Sequence, residues 1–108
     1  MAVAFIQEFP ITDRSTSNYD AVNDRLTENQ PAPEGLLIHF AGFDDEAGVF
    51  RIVNVWETQE QGQSYLDNHV MPAVHEVLGD PPAGTPPTRQ GSYELHHVAG
   101  VKSSETRR

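Results

Sequence analysis

The chain has 108 residues, with 16 Asp and Glu against 7 Lys and Arg, a formal net charge of −9, and no cysteine. That length suits one domain with one core. The charge argues against nucleic-acid binding, which needs clustered Lys and Arg, and against an anionic membrane surface, while the lack of cysteine excludes disulfides, a thiolate nucleophile and Cys-ligated zinc.

Val3 to Phe9 alternates as a strand does, with Val3, Phe5, Gln7 and Phe9 on one face and Ala4, Ile6 and Glu8 on the other. Pro10 is expected to end it. The opening MAVAFIQEF has neither a basic leader nor a long apolar run, and no stretch reaches the ~18 apolar residues that span a bilayer. A soluble, cytoplasmic protein is the expectation. Ser15 to Asn29 then reads as a helix, with Ser17 and Asp20 in capping-box spacing and Tyr19, Val22 and Leu26 as its buried stripe. Pro31 and Pro33 stop it.

Leu36 to Phe43 and Val49 to Glu57 are the clearest strands, joined by the acidic turn Asp44 to Gly48 at hairpin length. Thr58 caps a second helix, with Gln61 in the reciprocal position. Pro72 falls inside this helix, where it removes a hydrogen bond and clashes with the preceding turn, so a kink is expected near Asn68 to Met71. Leu66, Val70, Ala73, Val74 and Val77 keep a helical stripe across it. The run DPPAGTPPTRQG reads as irregular, Ser92 to Val98 as the last strand, and residues 99–108 as a flexible tail on a single domain spanning 1–98.

The order β-α-β-β-α-β predicts an α+β, ferredoxin-like fold, a four-stranded antiparallel sheet with two helices on one face. Several strands are apolar on both faces, however: Leu36, Ile38 and Phe40 against Leu37, Ala41 and Phe43, and Phe50, Ile52 and Trp56 against Val49, Val53 and Val55. Two helices cover one face only, and an uncovered apolar face is an association site. A second copy of the sheet about a twofold axis is the simplest cover, so a homodimer is predicted.

The polar residues set into apolar patterns are the candidates for chemistry. His39 and Asn54 interrupt strand faces that otherwise want hydrophobes, and each must find a partner or line a cavity. Tyr65, His69 and His75 share the second helix, with His69 one turn beyond Tyr65. His75 suits an axial ligand or proton shuttle, or else is an exposed helix histidine. Tyr65 suits a substrate contact, or else is an amphipathic residue at the edge of the core, and Trp56 suits a substrate contact, or else packs the strand-to-helix junction. His96 and His97 point to opposite faces of a strand and cannot grip one metal together. No HExxH, EF-hand, GxSxG, P-loop or dinucleotide fingerprint is present, and no metal is expected.

The βαββαβ order, the strand ending in Val55-Trp56-Glu57, and the Thr58-capped helix behind it resemble the dimeric α+β-barrel proteins, within them the antibiotic-biosynthesis-monooxygenase-like group. The resemblance spans about Ala2 to Val98. It implies dimerisation through the sheets and a cavity between sheet and helices. It also implies oxidation of an aromatic or polyketide-like substrate without a cofactor, as several members perform. Under that reading His75 or His39 is the base, and Tyr65 and Asn54 hold substrate oxygens, with Trp56, His69 and Gln7 as further binding residues. A haem-degrading branch implies a narrower function, with its iron ligand at His75, an aromatic residue at Tyr65 and a first-strand residue at Gln7. This chain departs from it, having Tyr65 where that branch has Trp and Gln7 where it has Asn. The alternative is a non-catalytic dimer that binds a small apolar ligand or serves a stress-related role.

Overall fold

The alternation at the start of the chain becomes β1 (Val3–Pro10), and the rest follows as α1 (Ser17–Thr27), β2 (Leu36–Asp44), β3 (Val49–Trp56), α2 (Gln59–Tyr65), a π-helical turn (Leu66–Val70), α3 (Met71–Leu78) and β4 (Arg89–Glu94). This computed structural model describes residues 1–28 and 31–100. All pairings are antiparallel and the sheet order is β2-β3-β1-β4, the ferredoxin-like arrangement the element order predicts. No helix among the described residues is long and apolar enough to cross a membrane. Most of the predicted tail, residues 101–108, lies outside the described residues, as does the predicted end of the first helix at Asn29.

Several boundaries differ from the sequence reading, each for a local reason. Pro10 lies inside β1, opposite Val49, because β4 pairs only with Val3 to Glu8 and has left the sheet by that point. β4 starts three residues early and stops at Glu94. The Thr88 N–H and hydroxyl both donate to the Glu8 carbonyl, at 2.8 and 3.2 Å, and pin its start. An edge strand held by backbone pairing needs no apolar alternation. A bulge between Leu36 and Ile38 sets Leu36 opposite Trp56 but Ile38 opposite Val55, so these two do not share a face. α1 begins at Ser17 behind Thr16, whose hydroxyl donates to the Asp20 carboxylate (2.8 Å), and its stripe of Tyr19, Val22 and Leu26 is half-buried.

Thr58 caps α2 as expected, its hydroxyl accepting from the Gln61 N–H at 3.1 Å. Gly62 lies buried in that first turn, under the rings of Phe5 and Trp56. The disturbance expected from Pro72 takes the form of the π-helical turn just before it. The Met71 N–H reaches back five residues to the Leu66 carbonyl. The wider turn gives up the regular register where proline has no N–H to offer.

Alternation in β1 and β3 divides the sheet into two faces. Phe5, Phe50, Asn54 and Trp56 lie on the side of the helices. On the other side Ala4, Ile6, Val53 and Val55 form a buried cluster packed by Ala2, Leu37 and Leu95, with no helix residue in it. Around this cluster Ile38, Phe40 and Tyr93 stay 39, 51 and 50% exposed. Polar interactions close one end of the same face: Arg51 donates to Glu8 at 2.7 Å and to Asp44 at 2.9 Å.

Candidate functional site

The β2–β3 register sets His39 directly opposite Asn54, and α1 lays Tyr19 over the pair. His39 Nδ1 lies 2.5 Å from Asn54 Oδ1, and His39 Nε2 lies 2.6 Å from the Tyr19 hydroxyl. An amide oxygen can only accept, so these partners assign the proton of the neutral imidazole to Nδ1. Nε2 then presents its lone pair, and the Tyr19 O–H donates to it. Burial, and after it the Asp20 carboxylate, raises the Tyr19 phenol above its ordinary value and holds it in the protonated, donating form.

Aromatic rings wall the groove beside this chain of hydrogen bonds. Phe50 meets Tyr19 edge to face at 5.5 Å, and Phe43 lies 4.9 Å from Phe50. Together with His39 and Phe40 they line a cleft of about 490 Å³ between α1 and the edge strand β2, with Thr16 and Asp20 on its helix side. Asn54 stands behind the imidazole and does not line the cleft. The arrangement is a proton acceptor, oriented from behind by an amide, beside an apolar slot for a flat ring.

The other residues singled out in the sequence lie elsewhere. Trp56, Tyr65 and His69 form a separate ladder, with ring centroids 5.4 Å apart in the first pair and 5.0 Å in the second. Trp56 is buried and His69 exposed. Burial pushes the Tyr65 phenol up as well. Gln7 donates to Gln90 across the β1–β4 seam at 2.9 Å. His75 is exposed on α3 and does not line the cleft. Among the described residues no group of three or more His, Asp or Glu is placed to hold a metal.

Tyr19 belongs to the cleft although the sequence reading had it only as core stripe. The signal was present in its hydroxyl. A tyrosine on the inner face of a helix needs a hydrogen-bond partner, and His39 is the polar residue of the strand it packs on.

No protein-family model matches this chain, nor does any curated protein sequence. Solved structures do match along nearly the whole chain. A Chloroflexus aurantiacus protein, provisionally named an antibiotic biosynthesis monooxygenase, superposes with a TM-score of 0.65 at 16% identity, covering 94% of this chain and 99% of its own. Rv0793 from Mycobacterium tuberculosis gives a TM-score of 0.65 at 14% identity, covering 93% and 100%. SnoaB, a cofactor-independent oxygenase from Streptomyces nogalater, gives 0.61 at 13% identity, covering 91% and 96%.

Proposed function

We propose that this protein, which has the fold of the antibiotic biosynthesis monooxygenase-like proteins, is a cofactor-independent oxygenase acting as a homodimer on a small aromatic compound. The observation that carries the reading is the Asn54–His39–Tyr19 hydrogen-bond chain at the wall of an aromatic cleft. The kinship in fold with SnoaB supports the reaction class. A cytoplasmic setting belongs to the same reading, since a chain without cysteine needs no oxidising compartment to fold.

The substrate displaces the Tyr19 O–H from His39 Nε2, and Nε2 then acts as the base and takes a proton from an acidic hydroxyl or activated methylene of the substrate. Asn54 keeps the other ring nitrogen protonated and the ring in place. Once Nε2 is protonated it becomes a donor, and the hydrogen bond to Tyr19 re-forms in the reverse sense. The Tyr19 O–H is then free to donate to the substrate oxyanion, as an oxyanion donor should. The carbanion form of the substrate reduces dioxygen and a C–O bond forms. Loss of water across the resulting hydroperoxide leaves a carbonyl. One methylene and one O₂ give one C=O and one water, so the substrate supplies all the electrons.

Oxygen uptake with a panel of hydroxylated aromatics tests this. The wild type should consume oxygen with at least one of them, and His39→Ala should lose about 100-fold or more of that rate, as expected for removal of a general base. Uptake no greater than that of His39→Ala across the panel would end the enzymatic reading and leave a ligand-binding dimer.

A further inference from the structure

The cleft also carries a charge that the proposed chemistry does not use. Asp20, in the first turn of α1, is among the residues that line it, as are Phe43 and Phe50. Its carboxylate accepts from the Thr16 hydroxyl at 2.8 Å, and none of the ion pairs among the described residues involves it. The cleft is lined by no Lys or Arg. Asp20 thus presents one negative charge without an ion-pair partner among the described residues, in a chain of net charge −9, to a slot walled by the Tyr19, Phe43 and Phe50 rings.

Rings and a carboxylate together form a receptor for an organic cation. An aromatic face attracts a cation through its quadrupole, and the carboxylate adds a direct Coulombic partner. The molecule already uses one of these faces in this way: the Arg14 guanidinium lies over the Phe43 ring, 4.4 Å from its centre. Arg14 is itself paired with Asp45, which offsets part of its charge. Asp20 also acts at the site in another way, as one of the causes that keep the Tyr19 phenol protonated.

We infer that the cleft selects a flat aromatic ligand bearing a protonated amine, with the ring against Phe43 and Phe50 and the ammonium at Asp20, and that it rejects carboxylated analogues. This rests on the reading of the cleft as the substrate site and narrows the substrate class. It also separates two jobs. His39 and Tyr19 handle the reacting oxygen or carbon, while Asp20 sets which end of the molecule points toward α1.

Three probes with one ring system test it: 1-naphthylmethylammonium, 1-naphthalenemethanol and 1-naphthoate, titrated by calorimetry at low salt. The ammonium should bind about tenfold more tightly than the alcohol, the combined scale of one exposed ion pair and one cation–π contact, and the carboxylate should bind most weakly. Asp20→Asn, which keeps an acceptor for Thr16, should bring ammonium and alcohol within about twofold of each other while the alcohol's own affinity holds. Asp24→Asn removes the same charge from α1 at an exposed position outside the cleft, and should keep the preference. Equal preference in Asp20→Asn and Asp24→Asn would overturn the inference, because the selectivity would then come from net charge alone. So would equal affinities for all three probes. Binding is read without turnover, so a protein that selects the ammonium but consumes no oxygen would retain this site and lose the oxygenase reading.

Discussion

At the scale of single residues, the site depends on Tyr19 being protonated, and that has a consequence for stability. The folded-state value of Tyr19 is raised above its unfolded one, chiefly by burial. A raised folded value means its contribution is fully present below the ordinary phenol range, about pH 10, and is lost as pH rises through the folded value. Tyr65 has the same sign and the same cause. The urea midpoint of the wild type should therefore fall as pH rises past the ordinary phenol range, about pH 10. Tyr19→Phe should fall less steeply, and the double variant with Tyr65→Phe should be flattest. Parallel curves for all three would show that neither phenol is held neutral by the fold. At this scale the site was half legible in the sequence. His39 and Asn54 broke the apolar pattern of their strands, although in the fold His39 is exposed and Asn54 half-buried. Tyr19 broke nothing, since tyrosine suits an amphipathic stripe. What joins the three is strand register and helix placement, which no single segment encodes. His75 and His69 looked equally capable on paper, and helix phase alone did not show that one would lie exposed on α3 and the other beside Tyr65.

At the scale of elements, the β3–α2 junction and the proline-bearing helix show how local rules meet packing. Gly62 is a poor choice for a helix by propensity, and replacing it with Ala should gain about 1 kcal/mol if nothing else mattered. Packing reverses this. An added methyl would run into the Phe5 ring and come to 2.8 Å from Trp56 Cδ1. Overpacking of this kind costs about 1–3 kcal/mol, so Gly62→Ala should be net destabilising by about 1 kcal/mol. Chemical denaturation decides between the two, and a rise in midpoint would mean that the rings move aside without strain. The Thr58 cap was readable because its chemistry is confined to four consecutive residues. The strain at Pro72 was readable too, but not its resolution into a π-helical turn, because that depends on which carbonyls can be given up without loss. The bulge at Leu36 and Ile38 was invisible for a related reason. A run of apolar residues with no alternation does not state its own register.

At the scale of the whole molecule, the charge and the apolar face oppose each other. Ala4, Ile6, Val53 and Val55 are already buried within one chain, so the apolar area left for a partner is concentrated on the two edge strands, at Ile38 and Phe40 on β2 and Tyr93 on β4. A twofold partner would cover both edges at once, since such an interface repeats each contact. Each protomer nevertheless carries a net charge of −9, and bringing two together adds repulsion that salt screens. Light scattering should therefore find twice the 12.0 kDa of one chain, with the dimer strengthened as ionic strength rises. Ile38→Glu should shift the population toward the monomer, because it sets two carboxylates at equivalent positions of a twofold contact. Phe40 lies on this face and also lines the cleft. The partner would thus fix one wall of the ligand site, and binding of the naphthalene probes should weaken on dilution in step with dissociation. A chain that stays at 12.0 kDa at high concentration and high salt, with unchanged probe affinity, would show that the exposed face has no second copy to meet.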